Sequence, residues 1–200
     1  MADTIFRVIP LPKHPFRIAV LFASVLVLTA CAGRDEYAAP VAVQPTTVPG
    51  LALSETGVGL VDQSTRFSSS AISDALGGAR VETVNATYQG RVIAQLAAFG
   101  PSGLQMARFQ GSGGRITGAQ IVSEDVPGPG GARVGMSYRQ TGGNAMNCDE
   151  GSGAWEQMAV CRRSGSAITY VYSVPLWREG RMPRGNELND AVLNRMIWEP

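Results

Sequence analysis

The sequence predicts an α+β fold: an antiparallel meander of roughly five to seven strands with flanking helices, including a C-terminal amphipathic helix. Three observations predict it. From about residue 80 to residue 174, short apolar-rich runs are cut by Gly-rich turns. One of these runs alternates apolar and polar residues along its length, the period of a half-buried strand. The segments on either side of this stretch carry helix punctuation instead.

The elements follow in order. Ser68-Ser-Ser-Ala-Ile-Ser-Asp-Ala-Leu-Gly77 has serines to cap a helix, Ile72, Ala75 and Leu76 as its stripe, and Gly77-Gly78 as its stop. Residues 81–88 and 91–99 are apolar-rich runs around Gly90, and Gly100-Pro-Ser-Gly103 is a turn. Residues 104–110 and 115–123 flank Gly111-Ser-Gly-Gly114, which lacks the strand-to-helix context of a phosphate loop and reads as a turn. Beyond the loop at 126–131, Ala132, Val134, Met136 and Tyr138 share one face, with Arg133, Ser137 and Arg139 on the other. Residues 155–162 and 167–174 flank Arg163-Ser-Gly-Ser166, with Ile168, Tyr170, Tyr172 and Val174 on one face. The last segment, 186–198, predicts a helix: Asn186 caps it, Glu187 suits its positive end, and Leu188, Val192 and Met196 recur at i+4. Gly78-Ala-Arg-Val81 recurs as Gly131-Ala-Arg-Val134, an echo of four common residues.

The N-terminus has a different grammar. Arg7, Lys13, His14 and Arg17 precede an uncharged run, 18–29, which as a helix spans about 18 Å, too short for a bilayer core of about 30 Å. A basic start and a short apolar core form the signal-peptide pattern. Leu28-Thr29-Ala30-Cys31 follows, and the whole resembles the signal and lipobox of bacterial lipoproteins. The resemblance covers about the first 31 residues. It implies removal of residues 1–30, lipidation of Cys31 and a membrane anchor through that lipid. Ala32 after the Cys, where Asp would favour retention, implies the outer membrane over the inner. Residues 31–50 then form a tether whose Pro40, Pro45 and Pro49 favour extended backbone reaching roughly 60 Å. Residues 51–200 are expected to form one periplasm-facing globular domain.

Composition narrows the chemistry. The chain has 17 Lys and Arg and 16 Asp and Glu. Arg7, Lys13, Arg17 and Asp3 lie in the signal, which leaves 14 Arg against 15 acidic residues. That balance argues against nucleic acid as a partner. Cys148 and Cys161 form an even pair, expected as a disulfide in an oxidising compartment, with two free thiols as the alternative. The only His and the only Lys, His14 and Lys13, lie in the signal. The mature chain therefore lacks the imidazole of a Ser-His-Asp or Cys-His arrangement, the amine of a Ser-Lys dyad or Schiff base, and histidine ligands for zinc or iron. No cofactor is expected. Carboxylate acid–base work on a glycan, calcium binding by oxygen ligands, and anion binding by arginine remain.

Few residues single themselves out for those tasks. Asp149-Glu150, with Glu156 nearby, lies in the expected disulfide loop but lacks calcium-loop spacing, and reads as a solvated acidic loop. Glu124 and Asp125 are neighbours that would point to opposite faces of a strand. Arg178, Arg181 and Arg184 recur every three residues, so extended backbone would align them as one basic edge for an anion. Trp155, Trp177 and Trp198 read as core anchors. The expected function is a non-catalytic, membrane-anchored envelope module binding another envelope protein or a glycolipid. The alternatives are a carboxylate-dependent hydrolase of envelope glycan, or an anion-binding protein.

Overall fold

A tight hairpin, β1 (Leu53–Ser54) and β2 (Gly57–Val58), opens the described part of the chain. The computed structural model describes residues 50–200 except 89, 176 and 178–180. These belong to one unit, Val43–Pro200. The expected signal peptide, Cys31, the tether as far as residue 49, and Arg178 lie outside the described residues.

Helix α1 (Ser69–Ala75) forms where its caps predict, with the Ser68 side chain accepting from the Ala71 N–H at 3.3 Å. Ile72 and Leu76 turn into the core. Strands β3 (Arg80–Tyr88), β4 (Arg91–Phe99), β5 (Gln105–Ser112) and β6 (Arg115–Ile121) then run as an unbroken antiparallel meander. The β5–β6 turn is Gly113-Gly114, both at positive φ (59° and 76°), a backbone that suits the right-handed twist of paired strands. Gly111 sits at a bulge where the register slips after Gln110. A Cβ there would stand 2.3 Å from the Phe67 ring, so only glycine lets that ring lie on the strand.

A second meander follows: β7 (Asn147–Glu150), β8 (Met158–Arg162), β9 (Ile168–Ser173) and β10 (Val192–Trp198). The last strands of the two meanders pair antiparallel, Met196 opposite Ile121 and Trp198 opposite Ala119. The result is one eight-stranded sheet, ordered β3-β4-β5-β6-β10-β9-β8-β7. Its core face carries Ala98, Ala107, Ile121, Met196, Tyr170 and Cys161 in register across the strands, and α1 and the long connections cover it. The Trp198 indole donates to the Glu55 carbonyl at 3.0 Å, and the Ala167 N–H donates to the Glu55 carboxylate at 2.7 Å, so the β1–β2 hairpin clamps the end of β9 and β10.

The antiparallel sheet with a helix on one face agrees with the sequence reading, but three expectations need correction. The C-terminal segment is not a helix: Gly185–Leu188 makes a 3-10 turn, and 192–198 is β10 at the centre of the sheet. Residues 132–140 are not a ladder strand. Ala132 and Tyr138 are buried, but Gly135 adopts φ 90° and only Ser137 bridges to Val192. The main sheet has eight strands rather than five to seven: 132–140 drops out, while β10 and β7, which carries no apolar alternation to announce it, enter. The Gly-Ala-Arg-Val echo marks no structural repeat: its first copy enters β3 and its second lies in the irregular segment.

Candidate functional site

An open cleft of about 560 Å³ lies beside the β7 edge of the sheet. One wall is the β7–β8 hairpin, where Cys148 and Cys161 face each other in register and are joined by a disulfide (S–S 2.02 Å). The other wall is the loop from Arg181 to Gly185, and Leu188 completes the lining.

The floor is set by an aromatic network. The rings of Tyr138 and Tyr172 meet edge to face at 5.3 Å. The Thr141 hydroxyl shares a 2.6 Å hydrogen bond with the Tyr172 hydroxyl and donates to the Tyr138 carbonyl at 2.9 Å. The Tyr138 hydroxyl stands 3.7 Å from Cys148 Sγ. Burial pushes the Tyr138 hydroxyl up from its ordinary acidity, and pushes Tyr172 up to about 12. These phenols are neutral at physiological pH. Met146, Met182 and Leu188 add apolar surface.

The rim is charged with both signs. Asp149 and Glu150 project from the hairpin, and Arg181 and Arg184 from the opposite loop. The Arg181 guanidinium forms a two-pronged pair with Glu187 (2.8 and 2.6 Å), which holds it more firmly protonated than usual. Glu187 also accepts from the Arg184 N–H at 3.1 Å, so one carboxylate pins the loop at two points. The cleft thus brings together two of the three predicted edge arginines and the predicted acidic pair. It does not gather Glu124, Asp125 or Glu156: Glu124 and Glu156 are exposed, and Asp125 closes a turn with Ser123 at 3.2 Å. Among the described residues, no group of three or more His, Cys, Asp or Glu side chains is placed to hold a metal.

Sequence reasoning missed a second cluster, on the sheet face away from the core. There Ala97, Arg108, Gln120 and Ile197 stand in register across β4, β5, β6 and β10. Arg195 lies two residues along from Ile197, on that same face, and Gln95 lies two residues from Ala97 on the other side of the row. The Arg195 guanidinium stacks on Trp155 at 4.4 Å and donates to Gln120 Oε1 at 3.4 Å. Of the three tryptophans read as core anchors, Trp198 is fully buried, whereas Trp155 and Trp177 are half-buried.

Residues 42–200 match the family described as "Protein of unknown function (DUF1131)". The chain is 29% identical over 151 residues to the Escherichia coli (strain K12) protein named "Uncharacterized protein YfeY", covering 73% of this chain and 78% of that one. It also matches the crystal structure of uncharacterized yfeY from Escherichia coli with a TM-score of 0.60 at 27% identity, over 74% of this chain and 99% of that one.

Proposed function

Given that the chain belongs to the DUF1131 family, we propose that it is a lipid-anchored protein of the bacterial envelope whose domain binds a segment of another envelope protein in the cleft beside β7. The anchor is Cys31, freed by removal of residues 1–30. Residues 31–50 hold the domain off the membrane, and Ala32 directs it to the outer membrane. The lipobox pattern supports the anchor, and an oxidised Cys148–Cys161 pair is what an oxidising compartment favours.

The cleft carries the binding reading. An apolar floor of Tyr138, Met146, Met182 and Leu188 under a rim of both charges is the arrangement of a protein-binding patch, whose centre excludes water and whose edge sets register. Pairing of Arg181 with Glu187 leaves the edge short of free positive charge, which favours a peptide over a purely anionic glycolipid. A carboxylate-dependent hydrolase needs an acid shielded from water to raise its proton affinity. The cleft carboxylates Asp149 and Glu150 are exposed.

The test places a photo-cross-linking residue at Met182, and separately at the remote exposed Gln63, in the full chain within its native membrane. A discrete protein adduct from Met182 that Leu188→Arg abolishes and Gln63 never forms is the expected result. The same adducts from both positions would overturn the reading, as would turnover of cell-wall glycan lost on Asp149→Asn or Glu150→Gln. For the anchor, labelled fatty acid should enter the parent chain and not Cys31→Ser. A parent chain left unlabelled refutes it.

A further inference from the structure

Among the arginines described on the sheet face opposite the core, two half-buried ones lack a counter-charge. Arg162 of β8 pairs with Glu199 at 3.6 Å and donates to Thr169. Arg108 of β5 and Arg195 of β10 have no carboxylate within salt-bridge reach among the described residues. Both are half-buried. Arg195 is held only by neutral groups: the Trp155 ring, Asn194 Oδ1 at 3.0 Å and Gln120 Oε1 at 3.4 Å. Arg108 donates to no described residue, and its Nε is buried without a partner. Gln105 Nε2, a donor on the same strand as Arg108, is in the same condition.

Stability does not explain this arrangement. Half-buried like charges cost free energy, and a fold serving stability alone would place a carboxylate or an apolar residue here. The cost is felt at Arg195, whose hold on its proton is weakened first by burial and then by the charge of Arg108. Residues that oppose stability and converge from different strands are the mark of a binding site.

We propose that the band Arg108–Gln120–Arg195 binds a phosphoryl group. Two guanidiniums present planar forks of N–H donors and a combined charge that matches a phosphoryl dianion. One carboxylate would be saturated by either arginine alone, whereas three terminal oxygens use both. Gln120 lies between them, opposite Arg108 in register and hydrogen-bonded to Arg195, and Trp155 stacked on Arg195 holds that guanidinium in place. The phosphate is either free or carried on a lipid headgroup. The band and the β7 cleft are separate sites, so failure of one leaves the other standing.

Trp155 reports the event. The full chain in zwitterionic detergent is titrated with inorganic phosphate, and tryptophan emission is followed. A saturable change is expected, absent in Trp155→Phe. Calorimetry should show Arg108→Gln and Arg195→Gln each weakening phosphate at least tenfold, with Arg139→Gln, an exposed control, unchanged. Arg108→Gln should melt at or above the parent temperature, which separates lost binding from lost fold. Vesicles of phosphatidic acid in phosphatidylcholine form the second arm. Competition with free phosphate, lost in the same two variants, assigns the headgroup, and its absence assigns the soluble ion. The proposal is overturned by phosphate binding that is absent, equal in all four chains, or weakened as much by Arg139→Gln.

Discussion

Reducing the Cys148–Cys161 bridge should loosen the β7 wall of the cleft by a calculable amount. The cysteines are 13 residues apart, so the bridge closes a loop of about 14 residues. Chain-entropy arguments give such a loop about 3 kcal/mol. For a domain of this size, 1 kcal/mol moves the melting temperature by about 2–4 °C, so the loss should be about 6–12 °C. The effect should be concentrated locally, because β7 is an edge strand of four residues paired only with β8. The assay is calorimetry of Cys148→Ala/Cys161→Ala against the parent, with hydrogen exchange followed residue by residue. Protection should fall first at 147–150 and 158–162 and persist at β5, β6 and β10. The Met182 adduct should weaken in parallel. A melting shift below about 2 °C with protection in β7 unchanged would refute the reasoning, since the bridge would then constrain nothing that the hairpin does not already hold.

Three further outcomes are expected. Tyr172 is fully buried and its hydroxyl is pushed up to about 12, so the folded state holds that proton more tightly than the unfolded state. Stability from this group is therefore complete below pH 10 and falls by about 2–3 kcal/mol as pH rises from 10 to 12; urea titrations should show the fall, and Tyr172→Phe should remove that share of it, leaving the shares of Tyr138 and Tyr170. Truncation before Val192 deletes β10 between β6 and β9, together with buried Leu193, Met196 and Trp198, at about 2–5 kcal/mol each. That approaches or exceeds the whole stability of a domain, so far-UV circular dichroism should show no cooperative unfolding. Gly143→Ala would place a Cβ 2.3 Å from the Tyr138 ring, which is itself braced by Tyr172, and should cost about 1–3 kcal/mol. Gly100→Ala, facing the flexible Met106 sulfur at 3.2 Å, should stay within about 0.5 kcal/mol of the parent by denaturant titration.

The first meander was legible because its turns are chemically explicit. Gly90, Gly103 and Gly113-Gly114 all take the positive φ that their positions in the sequence suggest, and the runs between them become β3 to β6. Ser68 likewise announced α1. The misreadings have equally local causes. Residues 132–140 alternate as a strand does, but the segment touches β10 through separated bonds, Gly135 N–H to the Leu193 carbonyl and Tyr138 N–H to the Ala191 carbonyl, with turns between. At the C-terminus the cause is a bulge. Register slips between Leu193 and Arg195, where Asn194 is the extra residue opposite β9. Core-facing Leu193 and Met196 are therefore three apart rather than two. A spacing of three followed by Trp198 mimics a helical stripe, and nothing local distinguishes a bulged strand from a helix.

That single misreading also hid the arginine band. In the helix reading, Arg195 is one polar residue beside the stripe of Leu188, Val192 and Met196, where an arginine has no special meaning. On a bulged central strand it is carried to the outer face of the sheet, one strand from Gln120 and two from Arg108. Arg108 was readable as the polar member of Met106-Ala-Arg-Phe109, but a lone strand arginine is ordinary. Only the pairing of β6 with β10, separated by some seventy residues of chain, makes the two charges neighbours. Cross-strand proximity is decided by topology, and like charges so placed are destabilising unless something lies between them. The cleft depended less on long-range pairing, since Cys148, Asp149 and Glu150 are contiguous and Arg181 and Arg184 are three apart. What the sequence withheld there was Glu187, read as a helix-capping acid. It instead ties Arg181 and the Arg184 backbone into one loop, so the basic edge enters the cleft partly neutralised.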